Sequence, residues 1–278
     1  MTNATAGAAE TTPLEIPELP ASTILLVEVG STAHGTGIPG GEDHDELGIV
    51  VEPLSMIVGL DEVGFKSVMQ RTQPEGSPSG PGDIDRTLHS LRRFLRMAAS
   101  GNPSILMALW APIEHATERG HELRGMADAF IGRHVIARYR GYMESQKQRL
   151  STDKGGGRPE LVERYGFDTK YAMHAARLGF QCIELLSTGG LQLPLETEDG
   201  DWLRALRRGN VDFDEWMART EDLDAAMASL LDDDSIPKSA DRARIDAWSV
   251  ATHRAVWESK QPQQPKQPTK TDAEEVST

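Results

Sequence analysis

An apolar run from Ser22 to Val29 carries Ile24, Leu25, Leu26 and Val27, stops at Gly30, and predicts a buried strand. A Gly-rich passage, GSTAHGTGIPGGE, separates it from Asp43 to Val51, where Leu47, Ile49, Val50 and Val51 predict a second strand that ends before Pro53. Residues 70–84 (QRTQPEGSPSGPGDI) read as a Pro/Gly/Ser loop or flap, and Asp85 to Ser90 as a short third strand. A helix follows from about Leu91 to Ala99, closed by Gly101. Asn102 and Pro103 open another, with Ile105, Leu106, Leu109 and Trp110, because proline suits a first helical turn. From Gly120 onward the spacing is helical over 121–150, 168–187, 199–208, 212–231 and 240–258, with breaks at Gly155 to Gly157, Gly189-Gly190 and Pro237. The fold class is α+β. A small mixed-sheet domain with flanking helices occupies 21–112, and an all-α helical domain occupies 113–258.

Composition adjusts this picture at its ends and narrows the partners. Residues 1–20 are rich in Ala, Thr and Pro, and 259–278 are almost wholly polar, so both read as disordered tails. A single cysteine, Cys182, excludes an intramolecular disulfide and a thiolate metal cluster and fits a reducing compartment. With no basic start, no apolar leader and no run near the ~20 residues of a membrane span, the expectation is a cytoplasmic protein without a membrane partner. The formal net charge of −14 disfavours coating of bulk DNA, since phosphate contacts supply most non-specific affinity. Charge is uneven, however. Residues 133–177 hold ten Lys/Arg against five Asp/Glu, whereas 196–246 hold seven against fifteen. A local anionic ligand is compatible with that excess.

The chemistry concentrates around the first two strands. Gly30 permits a tight turn and close approach to a ligand, and the Ser31 hydroxyl with nearby N–H groups can hold phosphate oxygens. Asp43 and Asp45 stand at i and i+2 of a strand, so their carboxylates point the same way and together suit a hard divalent cation. Asp85 opens the next strand and would complete a two-metal site; Asp83, two residues earlier, would point the same way. Taken singly, Gly-Ser reads equally as an ordinary turn and Asp-x-Asp as a solvated loop. Their order, with strands on both sides and Asp85 before a helix, separates the functional reading from the ordinary one.

The Gly-Ser turn followed by Asp-x-Asp resembles the DNA polymerase β-like nucleotidyltransferase superfamily. Three segments, DHDELGIVV (Asp43 to Val51), DRTLHSLRRFLRMAASGNPSILMALWAP (Asp85 to Pro112) and FDTKYAMHAARL (Phe167 to Leu178), narrow the resemblance to the predicted nucleotidyltransferases of bacteria and phages linked to RNA repair. The resemblance implies a nucleotidyltransferase catalytic domain over 21–112, with phosphate binding at Gly30 and Ser31. It further implies catalytic and metal-binding roles for Asp43, Asp45 and Asp85, with two Mg²⁺ ions, or Mn²⁺, as cofactor. One departure stands out. His44 and Glu46 occupy places that many members fill with apolar side chains, which predicts either a solvated second face or a polar contact over it.

In the helical part, Asp168 or Thr169 can cap a helix ending at Gly189-Gly190, on which Lys170, His174, Arg177, Gln181 and Glu184 form one polar stripe. Such a stripe is either a solvated face or, as the family's K-x-x-x-H-x-x-R pattern implies, a nucleotide-binding face opposite the metal site, with Lys170, His174 and Arg177 on triphosphate, base or acceptor. The tract Arg133 to Arg158, with Tyr139, Tyr142, Lys147, Arg149 and Lys154, mixes basic and aromatic residues as an RNA-contacting segment or a solvated amphipathic helix would. Arg207-Arg208-Gly209 reads as a helix end, and Asp232 to Asp234 as a solvated one. The expected activity is transfer of a nucleoside monophosphate from an NTP to a hydroxyl, with an RNA 3′ end as acceptor. Nucleotidylation of a protein or small molecule, or a non-catalytic nucleotide-binding regulatory module, are the alternatives.

Overall fold

The computed structural model describes residues 15–37, 44–60, 66–74, 77, 79–151 and 158–259. Among them, β1 (Thr23–Glu28), β2 (His44–Val50), β3 (Ser67–Arg71), β4 (Ile84–Ser90) and β5 (Ile113–Ala116) form one sheet in the order β3-β4-β2-β1-β5. β2 and β4 run parallel and the other neighbours antiparallel. The continuous apolar run of β1 is explained by burial on both sides: Leu25 and Val27 join the helix-side core, while Leu26 meets Val50 and Leu88 on the second face. A register shift between Thr23 and Leu25 puts Ile24 in the same cluster as Leu25. Fully buried side chains such as Leu25 and Ile49 each contribute about 1.5–3 kcal/mol of transfer free energy.

Short helices α1 (Gly30–His34) and α2 (Leu54–Val58) follow β1 and β2, and α3 (Leu91–Ala99) and α4 (Pro103–Leu106) follow β4. Ser90 caps α3 by accepting from the Arg93 N–H, and Asn102, as the sequence predicts, opens α4 ahead of Pro103. Beyond the sheet come α5 (Glu118–Gly125), α6 (His134–Ser151), α7 (Pro159–Tyr165), α8 (Thr169–Thr188), α9 (Glu198–Arg207), α10 (Phe213–Ser229) and α11 (Arg242–Ser259). The central helix α8 packs against α6, α9 and α10. Its N-cap is Asp168, whose carboxylate accepts from the Lys170 and Tyr171 N–H groups, and it ends at Gly189 with φ of 78°. Close packing sets the sequence at Gly179, where a Cβ would press on Leu223 at 3.0 Å.

Several expectations need correction. The sheet extends past residue 112, because β5 pairs with β1 from within the segment read as all-α. β3 lies partly in the segment read as a flap, and α7 was not expected at all. The helix expected over 121–150 divides into α5, a 3₁₀ turn and α6. At the break, the Pro237 and Lys238 carbonyls accept from the Arg133 and His134 N–H groups, and a Cβ on Gly132 would meet the Pro237 carbonyl oxygen at 2.7 Å. α11 returns to the sheet: His253 Nε2 stands 3.0 Å from Glu52 Oε2, and Trp257 Nε1 donates to the Glu52 carbonyl at 2.7 Å. One apolar cluster therefore runs from Ile24 to Ile245. Part of the N-terminal stretch read as a tail is docked, with Leu19 against the second-face cluster and the Pro17 carbonyl accepting from Arg86. Residues 1–14 and 260–278, also read as tails, lie outside the described residues.

Candidate active site

The N-terminal ends of the parallel pair β2 and β4 create the site. Asp45 is the register partner of Asp85, so two carboxylates on strands about 4.8 Å apart point to the same face. The face is the helix side, since Leu47 and Ile49, two and four residues on from Asp45, belong to the main core. The His44 N–H donates to the Asp83 carbonyl at 2.8 Å and extends the pairing to the strand ends.

β1 ends beside this pair. The Val29 N–H donates to the Asp45 carbonyl at 2.8 Å, and the chain turns at Gly30, where φ is 73°. A Cβ on Gly30 would collide with the Asp45 carboxylate, so glycine is required both by the left-handed backbone and by the close approach. Ser31 is the next residue of α1. The geometry brings Gly30, Ser31, Asp45 and Asp85 together at one end of the interior strands; Asp43 lies outside the described residues.

Asp85 is held by groups that the sequence does not single out. Ser79 Oγ donates to Oδ2 at 2.6 Å, Gln73 Nε2 donates to Oδ1 at 2.9 Å, and Arg71 Nε stands 3.2 Å from Oδ1. Asp83 serves the turn instead, accepting from Thr72 Oγ1 at 3.1 Å and from the Gly80 N–H at 2.8 Å. No local signal marks Arg71, Gln73 or Ser79, because each reaches Asp85 through the antiparallel pairing of β3 with β4 or the loop that follows β3.

The second face explains the polar residues between and beside the aspartates. His44 sits between Glu28 and Glu46, 3.3 Å from each, and Glu46 pairs with Arg86, the register neighbour of Glu46 on β4. Both partners of the Glu46–Arg86 pair are nearly buried. A polar contact thus covers this face, and it braces the strand that carries Asp45 from behind.

Helix α8 reaches the same region through Gln181, whose amide nitrogen lies 3.2 Å from Nδ1 of the buried His34 in α1. The His34 carbonyl accepts from the Leu195 N–H, and Arg204 donates to the Gly35 and Leu195 carbonyls. Arg177, one turn before Gln181, is largely enclosed. Its Nη2 lies 3.4 Å from His174 Nε2, its buried Nε has no hydrogen-bond partner among the described residues, and burial pushes its pKa down to about 10. The His174 pKa is also lowered, first by burial and then by the charges of Arg149 and Lys170. Arg149 and Arg158 each place a guanidinium 5.4 Å from the centre of the Tyr171 ring. Lys154 lies outside the described residues. A concentration of cationic groups on the N-terminal half of α8, with one guanidinium incompletely satisfied, has the chemistry of an anion site.

Among the described residues no three of His, Cys, Asp and Glu gather as a metal-binding group. Asp45 and Asp85 are nevertheless an all-oxygen donor set of the kind a hard divalent cation takes, and Asp43 falls two residues before Asp45. No helix among these residues is long and apolar enough to cross a membrane.

A family described as the RNA repair pathway DNA polymerase beta family matches residues 14–277. No curated protein matches the chain. The crystal structure of a nucleotidyltransferase-like protein from Exiguobacterium sibiricum aligns with 87% of this chain and 76% of that one, at 10% identity and a TM-score of 0.28.

Proposed function

Because the chain belongs to the RNA repair pathway DNA polymerase beta family and is a DNA polymerase β-like nucleotidyltransferase, we propose that it moves a nucleoside monophosphate from an NTP to a hydroxyl at an RNA 3′ end. The observation that carries this reading is the register of Asp45 with Asp85 beside the Gly30 turn. Two adjacent carboxylates on one face, approached by a residue with no side chain, leave room for phosphate oxygens and for cations between them.

Residues of the chain divide the work. The backbone at Gly30 and the Ser31 hydroxyl hold phosphate oxygens of the NTP, and Lys170 and Arg177 offset their charge from α8. His174 adjoins Arg177 and orients it or contacts the base. Asp43, Asp45 and Asp85 would hold Mg²⁺, or Mn²⁺, which when bound would acidify the acceptor hydroxyl and neutralise the triphosphate. Asp85 accepts the proton of the attacking hydroxyl, and the α-phosphorus changes partner from the pyrophosphate oxygen to that hydroxyl oxygen. Ser79 and Gln73 fix the carboxylate of Asp85 in the meantime.

Incubation with each labelled NTP and Mg²⁺ against RNA, tRNA and protein acceptors tests the proposal. Label should appear on RNA 3′ ends and vanish with periodate-blocked ends. Label on protein alone would replace RNA by a protein acceptor. No transfer with any NTP would remove the catalytic reading.

A further inference from the structure

A second cationic feature lies at the opposite ends of the strands from Asp45 and Asp85. α3 and α11 enclose an open groove of about 530 Å³. Its lining includes Arg92 and Arg96, one helical turn apart on α3, and Arg242, the first residue of α11. All three are exposed, and none has an ion-pair or side-chain hydrogen-bond partner among the described residues. In a chain of net charge −14, where other arginines such as Arg86, Arg140, Arg219 and Arg244 are paired with carboxylates, three guanidinium groups without an ion pair on one groove are conspicuous. Asp246 also lines the groove and offsets one of the three charges. The surplus stays positive.

The groove is open and its cations are solvated, which suits repeated, weakly desolvated contacts with a phosphodiester chain better than enclosure of a small anion. Its surroundings are also linear. Arg138 of α6 donates to the Ser100 carbonyl at the end of α3, continuing the row of Arg92 and Arg96 by another turn. From there α6 runs over eleven residues, about 17 Å, to Arg149, whose guanidinium lies on Tyr171 at the start of α8. Along the sheet, five residues of β4 separate Asp85 from Ser90, about 17 Å.

We propose that the α3–α11 groove is a distal phosphate-binding site for the body of the RNA whose 3′ end enters the catalytic site. The inference rests on the RNA-acceptor reading above and adds the surface that measures the acceptor beyond its terminal nucleotides. It recognises backbone rather than bases, so it selects length and structure but not sequence.

The test uses the full chain and the variants R92Q/R96Q/R242Q and R92K/R96K/R242K, with two labelled RNAs: a hairpin with a ten-base-pair stem and a 3′ overhang, and a tetranucleotide. Binding is followed by fluorescence anisotropy from low to moderate salt, and folding by thermal melts. The glutamine variant should melt like the native chain and lose about tenfold or more in hairpin affinity. Its log K against log salt should be shallower by about two, while the tetranucleotide binds unchanged and the lysine variant retains most of the hairpin affinity. Unchanged hairpin affinity and slope in the glutamine variant would overturn the proposal. So would a native chain that does not bind the hairpin, or that binds polyglutamate in the groove in its place. Nucleotide transfer is assayed separately: hairpin binding through the arginines without labelling of RNA would leave the groove standing and remove only the catalytic proposal.

Discussion

At the scale of single residues, the account turns on how little space Gly30 leaves beside Asp45. Replacing Gly30 with Ala imposes a left-handed backbone cost of about 1–2 kcal/mol and drives the new methyl into the Asp45 carboxylate. Urea unfolding of Gly30→Ala should show a loss of about that size, and transfer should fall by about 100-fold or more, because a displacement near 1 Å at the reacting centre is enough. Native stability with native activity would mean that the approach is not needed. A second residue reports on pH. His89 is buried, its Nδ1 has no hydrogen-bond partner among the described residues, and burial, then the nearby charge of Arg93, lowers its pKa to about 4. A folded-state pKa depressed from 6.5 means that the contribution is intact above 6.5 and is lost as pH falls towards 4, because the unfolded chain takes up the proton first. The melting temperature should therefore drop over that window, and His89→Gln should flatten the drop. An identical profile in both proteins would contradict the assignment.

At the scale of elements, the strands that flank the Gly30 turn and the caps of two helices were the most legible. β1 and β2 are dense in apolar residues because both are interior to the sheet, and Asp168 and Asn102 carry their capping role in their own chemistry. β3 and β5 were not legible, being edge strands of five and four residues with largely exposed side chains, whose pairing partners supply what their own pattern lacks. For the same reason the contacts of Arg71 and Gln73 to Asp85, and of Arg86 to Glu46, appear only once the register is known. The polar stripe on α8 was legible as a stripe, and the structure adds that its Gln181 meets the buried His34. If the stripe binds nucleotide as proposed, Lys170→Ala and Arg177→Ala should each raise the KM for NTP by about tenfold, more steeply at low salt, with the metal dependence unchanged. Unaltered kinetics in both would return the stripe to an ordinary surface. The docking of α11 makes a separate prediction. His253→Ala removes the partner of the buried Glu52 carboxylate and should cost about 2–3 kcal/mol in urea unfolding. A change within 0.5 kcal/mol, roughly the effect of a surface substitution, would mean that α11 is held by its apolar contacts alone.

At the scale of the whole molecule, charge is distributed in a way that the total conceals. An acidic chain of net charge −14 gathers cations in two places, the N-terminal half of α8 and the α3–α11 groove, and α6 spans the interval between them. The continuous core from β1 to α11 fixes those places relative to one another, so an acceptor that touches both is gauged by the protein's own dimensions. The central claim is that Asp45 and Asp85 form one catalytic edge, and it is tested most directly by labelled-NTP transfer to an RNA 3′ end with the native chain, Asp45→Asn and Asp85→Asn, each also melted without metal. Transfer should depend on Mg²⁺ in the native chain and fall below about one-thousandth in Asp45→Asn and Asp85→Asn, while Asp45→Asn melts at or above the native temperature because two adjacent carboxylates no longer repel. Native rates in either variant, or a loss of transfer that follows unfolding, would contradict it.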